Sequence, residues 1–230
     1  MNTGVDTMQE YVAATRLCDC DNPWLRERAQ EIVDGANTAE EKAVKIFDYV
    51  RDHIRFSLAY SRSRASQILK RGYGECLNKT NAQVALLRAI GIPGRLRWVQ
   101  AKTEVLHHLI EEFVYKQMPP VASHFWCECC LNGRWISCEL LLDKPLYDGM
   151  LKGNLITKDQ VPTIDWDGKT DLVLLRPWIT EDRGYLSSAD DAIRRLQTSE
   201  EGMLPLWVEW IIAPVFYRTN LHNSDRIRHG

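Results

Sequence analysis

One Asn-Gly pair fixes the pairing of a large part of this chain. Asn132-Gly133 stands between two apolar and aromatic runs, His124 to Cys130 and Arg134 to Leu141. A two-residue turn of this composition suits the geometry that needs φ > 0 at both central positions, and so it joins two antiparallel strands. With Asn132 and Gly133 in the turn, Leu131 faces Arg134, Cys127 faces Cys138, Trp126 faces Glu139 and His124 faces Leu141. Side chains alternate along a strand, so His124, Trp126 and Glu128 share a face with Trp135, Ser137, Glu139 and Leu141. Glu139 is then a diagonal neighbour of His124, about 7–8 Å away Cα to Cα. Asp143 is the other diagonal if pairing continues that far. Cys127, Cys129 and Cys138 take the opposite face. They suit a core as small apolar groups, and as a metal set they lack a fourth ligand. Cys130 lies on the His124 face near the turn.

The second informative stretch is Gly72-Tyr73-Gly74-Glu75-Cys76, followed by the apolar run from Leu77 to Ile90. Two glycines permit a tight turn and a close approach. A cysteine that opens a helix faces unpaired N–H groups and the positive end of the helix dipole, which favour the thiolate. Cys76 therefore reads either as a nucleophile or as a buried helix-start cysteine. Apolar residues run most of the way round this helix, so protein covers it on both sides. Gly91 closes it and Pro93 prevents its continuation.

Upstream, residues 1–36 read as two helices. Asp21-Asn22-Pro23 starts the second, and Leu25, Ala29, Ile32 and Val33 form its stripe. Thr38 and Glu41 make a capping box for a helix from Thr38 to Arg55, with Ala43, Ile46, Phe47, Val50 and Ile54 on one face. Phe56 to Ser61 reads as extended, and Ala65 to Lys70 delivers the glycine turn. Arg95 to Gln100 alternates as a strand. A polar excursion through His107 and His108 to Pro119-Pro120 follows, with both histidines at the surface. Leu172 to Leu175 reads as a strand, Ser188 to Leu196 as a helix capped by Ser188, and Leu204 to Tyr217 as an aromatic-rich helix whose Trp207, Trp210 and Ile211 pack on the domain.

A net charge of −2 on 230 residues gives no footing for nucleic acid or an anionic membrane. The first residues lack a basic and apolar signal pattern, and no stretch is apolar for about 18 residues, so neither export nor a transmembrane helix is expected. Seven cysteines without framework spacing fit free thiols in a reducing cytoplasm. Cys18-x-Cys20 alone is a weak metal pattern.

A cysteine nucleophile needs a base, and the base needs a third group to orient it. Cys76, His124 and Glu139 supply these types, with Asp143 as the alternative third member. The Cys76 backbone N–H is the natural oxyanion donor, and Tyr73 is the candidate for a second. Trp98, Trp126 and Trp135 are candidate rim residues for substrate.

Three stretches resemble the transglutaminase-like (papain-like thiol) superfamily in its microbial form: RASQILKRGYGEC at 64–76, LLRAIGIPGRL at 86–96 and HFWCECCLNGRWISCE at 124–139. The resemblance covers about residues 38–147. It implies an α+β papain-like, transglutaminase-core fold, with N-terminal helices and a buried catalytic helix packed on an antiparallel sheet. It implies Cys76 as nucleophile, His124 as general base and acid, and position 139 as the orienter. That position is usually aspartate in the family and is glutamate here. The expected organisation is an N-terminal helical extension at 1–37, a catalytic core at 38–147 and a C-terminal extension at 148–230. The expected activity is thiol-dependent acyl transfer from a peptide or protein amide through a thioester, by hydrolysis or transamidation, without cofactor or metal. The alternatives are an inactive interaction domain of the same fold and a thiol-based metal-binding protein.

Overall fold

The computed structural model describes residues 6–198 and 223–229. Helix α1 spans Asp6–Gln9 and α2 spans Pro23–Ile32. Asn22 caps α2 by accepting from the Leu25 N–H, and Pro23 occupies the position whose N–H would have no partner. The first of the two expected helices is thus a single turn, and the second starts where its signals place it. Helix α3, Ala39–His53, opens with the Thr38–Glu41 capping box and buries Ala43, Ile46, Phe47 and Val50. Of the stretch from Phe56 to Ser61 expected as extended, only Phe56 lies in a strand, β1, which spans Arg55–Phe56 and begins inside the residues expected as helix. Helix α4, Ala65–Arg71, leads to β2, Tyr73–Gly74, which pairs in parallel with β1.

Helix α5, Cys76–Ala89, is the centre of the fold, with every residue from Leu77 to Arg88 buried. Its polar residues are inside because each meets a main-chain or thiol group of a surrounding segment. Lys79 donates to the carbonyls of Arg51 and Leu141, Asn81 to Leu17, and Gln83 to the Cys138 sulfur. Arg88 donates to Ala13 and Gly94. Buried polar groups without such partners cost free energy, so these contacts fix how the helix sits among its neighbours.

Strand β3 is Gly94–Lys102, β4 Val121–Leu131, β5 Arg134–Cys138 and β6 Ile179–Leu186. They form a sheet of order β5-β4-β3-β6, antiparallel throughout. Between β3 and β4 lies the excursion, a 3-10 turn at Thr103–Leu106 and the one-turn helix α6, Glu112–Tyr115. The hairpin has the expected register, Cys127 against Cys138 through Leu131 against Arg134, and Asn132 and Gly133 both have positive φ. The ladder stops at Cys138, however. Glu139 donates its N–H to the Leu172 carbonyl instead of facing Trp126. Cys127, Cys129 and Cys138 are completely buried.

Beyond the hairpin, α7 spans Lys144–Lys152 and α8 spans Ala189–Thr198. Ser188 accepts from the Asp191 N–H at the start of α8. Leu172 to Leu175 is no strand. Leu172 makes one bridge to Cys138, and the chain then turns into a 3-10 segment at Arg176–Trp178. The expected helix from Leu204 to Tyr217 lies outside the described residues. Residues 223–229 are helical. No helix among the described residues is long and apolar enough to cross a membrane.

Candidate active site

The thiol side of the site is built by two glycines and a glutamate. Gly72 ends α4 with φ of 71°, a conformation that other residues rarely adopt. Gly74 permits a close approach, since a Cβ there would lie 2.5 Å from the Cβ of Asn78. The first turn of α5 therefore packs directly on the incoming strand. Glu75 is its N-cap, and its carboxylate accepts from the N–H groups of Leu77 (2.7 Å) and Asn78 (3.1 Å). The Lys79 N–H goes to the Glu75 carbonyl. Among the described residues this leaves the Cys76 N–H as the first-turn donor without a partner.

The Cys76 sulfur donates to Glu75 Oε2 at 3.4 Å. Both residues keep part of their surface open to a cavity while protein atoms surround them. Burial pushes the Cys76 thiol well up, the Glu75 charge adds to this, and the Phe125 N–H beside the sulfur opposes it. Burial also raises the Glu75 carboxyl, against the pull of the Leu77 N–H. The expectation that the helix start would favour the thiolate is thus reversed in the isolated thiol. Burial outweighs the pull of the Leu77 N–H, which Glu75 shares, and Glu75 places a carboxylate beside the sulfur.

The imidazole side is built on β4. His124 is 6% exposed, and its Nε2 lies 2.7 Å from Oε1 of Glu139, itself 1% exposed. The other Glu139 oxygen accepts from the N–H groups of Leu174 (2.5 Å) and Leu175 (3.1 Å). Three donors therefore converge on one buried carboxylate. With Glu139 accepting at Nε2, the neutral ring carries its proton there and Nδ1 is its acceptor.

The two sides meet where α5 crosses β4. Thr80, one turn beyond Cys76, donates to the Phe125 carbonyl at 3.1 Å, and Phe125 follows His124. Cys76 and His124 both line a cavity of about 220 Å³. The structure thus brings Cys76, His124 and Glu139 into one site. Asp143 is elsewhere: it caps α7 through the Leu146 N–H and pairs with Arg228 at 2.6 Å. Tyr73 does not line the cavity, because its ring lies under the Arg71 guanidinium, 5.0 Å away. Trp126 does not line it either. It is buried beside His124, with ring centroids 6.0 Å apart, and its indole N–H has no partner among the described residues. Trp98 is likewise buried and donates to Ser123, while Trp135 stacks under Arg95.

Two contributions escape a reading of the residues. The N-capping carboxylate of Glu75 has a signal, an acidic residue just before a helix. The Leu174 and Leu175 N–H groups have none, because main-chain donors leave no trace in residue type. All seven cysteines are free, and no cluster of metal-ligating side chains occurs among the described residues.

The family model for the transglutaminase-like superfamily matches residues 26–140. The chain belongs to the transglutaminase-like superfamily. Among solved structures, this superfamily member is similar to a putative cysteine protease from Cytophaga hutchinsonii, with a TM-score of 0.52 and 16% identity over 83% of the chain. The match covers 50% of that protein, so the chain spans half its length. A putative protease from Parabacteroides distasonis matches over 53% of the chain and 24% of its own, at 14% identity and a TM-score of 0.38. No curated protein matches the chain in sequence. At 16% identity the Cytophaga hutchinsonii structure speaks for the fold alone, and with the family match the fold is the expected α+β transglutaminase-like one.

Proposed function

We propose that this transglutaminase-like protein is a cysteine-dependent acyl-transfer enzyme that hydrolyses an amide of a peptide or protein. The observation that carries the reading is the buried His124–Glu139 hydrogen bond of 2.7 Å opening onto the same cavity as Cys76. His124 Nδ1 takes the proton from the Cys76 thiol as the sulfur attacks the amide carbon. The C–S bond forms, and the carbonyl electron pair moves to oxygen as an oxyanion. The free Cys76 N–H is its donor. When the tetrahedral species collapses, the C–N bond breaks and the imidazolium gives its proton to the departing amine. A thioester remains on Cys76. His124 then takes a proton from water, which attacks the thioester carbon, and the acid leaves as sulfur recovers its proton.

Glu139 orients the ring and stabilises the imidazolium. Because burial and Glu75 disfavour a lone thiolate, sulfur ionisation in this scheme is coupled to proton uptake by His124. No cofactor or metal enters any step. Seven unpaired thiols fit a reducing compartment such as the cytoplasm.

The test is competitive alkylation with limiting iodoacetamide near neutral pH, read by peptide mapping. Cys76 should be modified far faster than the other six cysteines, and His124→Ala should remove most of that preference. Slow, equal labelling of all seven would leave a scaffold of this fold as the reading.

A further inference from the structure

Resting on the acyl-transfer reading, we propose that the acyl group presented to Cys76 carries one apolar side chain of about leucine, methionine or phenylalanine size. The chamber beside the sulfur would hold it. Its walls come from three separate parts of the chain. Phe56 ends β1 and Leu58 follows it, while Val105, Leu106 and Met118 belong to the excursion between β3 and β4. Leu175 belongs to the segment that also holds Glu139. Leu58, Val105, Leu106 and Met118 are only partly buried against the core, so each keeps apolar surface that the protein itself does not cover.

Size and chemistry both narrow the occupant. At about 220 Å³ the chamber falls below the roughly 300 Å³ lower bound of sites for drug-sized ligands, so it suits one side chain rather than several residues. Apart from the Cys76 N–H and His124 Nδ1, which face the reacting amide, the polar side chains of Ser123, Thr103 and Glu75 already have partners. Ser123 accepts from Trp98 and Gln100, and Thr103 donates to the Pro119 carbonyl. Glu75 uses both oxygens on Leu77, Asn78 and the thiol. A glutamine side chain would give up water without gaining a bond, a glutamate would also meet the Glu75 carboxylate, and a lysine would lose the hydration of its ammonium for a carboxylate whose two oxygens are already engaged. Lys102 also lines the chamber, but it is exposed and can stay in water at the mouth.

The probes are N-acetyl aminoacyl chloromethyl ketones carrying leucine, phenylalanine, glutamine, glutamate or lysine side chains. In each, the Cys76 sulfur displaces chloride, forming C–S as C–Cl breaks. Rates of Cys76 modification are read by mass spectrometry and divided by the iodoacetamide rate on the same protein. The leucine and phenylalanine reagents should react roughly 10- to 100-fold faster than the other three, the range expected for burying one large apolar side chain. Met118→Lys, and independently Leu106→Lys, should raise the glutamate reagent relative to leucine by about tenfold. Equal normalised rates, or an order unmoved in both variants, would overturn the chamber while leaving the nucleophile standing. Failure of iodoacetamide to prefer Cys76 would remove the acyl-transfer reading and this inference with it.

Discussion

Glu139 and Asp143 follow one another closely at the end of the hairpin, and both are buried carboxylates met by N–H donors. Their surroundings give them different work. Glu139 shares its charge between the His124 ring and two main-chain N–H groups. Asp143 faces a permanent cation: burial raises its carboxyl, and Arg228 with Lys79 overcomes this and holds it below the ordinary value. Asp143 ties the start of α7 to the helical residues 223–229, whereas Glu139 ties an imidazole to the strand end. Residue type and spacing make both plausible partners for His124. The segments that decide between them, around Leu174 and Arg228, lie far along the chain.

The largest expected effect tests the Asp143 half of this contrast. Asp143→Ala leaves the buried Arg228 with Asp225 as its one charged partner among the described residues and removes the α7 cap. Breaking a buried ion pair costs about 3–5 kcal/mol, and Asp225 should hold the loss near the lower end. Urea denaturation should show that loss, while folded variant at low temperature still labels preferentially at Cys76. Loss of the labelling preference without loss of stability would place Asp143 in the active site. Glu139→Gln is the reciprocal test. The amide is nearly the same shape, yet it exchanges a charged acceptor for a neutral one. Hydrogen bonds to charged groups contribute about 1.5–3 kcal/mol, so iodoacetamide labelling of Cys76 at neutral pH should slow by roughly 10- to 100-fold. Glu139→Asp should recover part of the rate, and an unchanged rate would detach Glu139 from the imidazole.

A smaller effect separates the glycine turn from the hairpin turn. Gly74→Ala sets a methyl group against Asn78 at the head of α5, whereas nothing lies within 4 Å of a Cβ at Gly133. Overpacking of this kind costs about 1–3 kcal/mol. Gly74→Ala should therefore lower the urea midpoint and slow Cys76 labelling together. Gly133→Ala should lower the midpoint only through its positive φ and leave labelling alone.

The local parts of this site were legible in the sequence because they are local. The Asn-Gly turn dictates strand register across the ladder, and the Thr38–Glu41 and Asn22–Pro23 signals place two helix starts. The Gly72–Cys76 run marks the head of the central helix. What was illegible depends on contacts made at a distance. Leu172 to Leu175 has the composition of a strand, but its neighbours use it as a bridge and a turn, because its N–H groups are needed on Glu139 and on the ladder end. The aromatic residues offered as a substrate rim show the same limit. Trp98 and Trp126 are large enough to be core, and the sheet buries them, while aliphatic residues of an unpromising polar excursion line the chamber. A core drawn to end near residue 147 also leaves out the donors that hold its own carboxylate.

Glu75 offers the finest division, because it is the carboxylate that works against the chemistry it adjoins. Its carboxyl is raised above the ordinary value of 4.5, chiefly by burial. From about pH 4.5 upward, therefore, the unfolded chain ionises this group more readily than the folded one, and its contribution to stability falls as pH rises through that window. Glu75→Gln removes the penalty and keeps an oxygen able to accept from one first-turn N–H. At neutral pH the variant should match or slightly exceed the parent in urea midpoint, instead of losing the ~1 kcal/mol that truncating a cap usually costs. The sulfur should respond in the same direction. With the neighbouring negative charge gone, the pH midpoint for Cys76 alkylation should fall. A drop in stability with an unmoved alkylation midpoint would make Glu75 a cap and nothing more. A midpoint that rises would mean that the glutamate accepts the thiol proton in the resting protein, and that His124 is not the base that ionises Cys76.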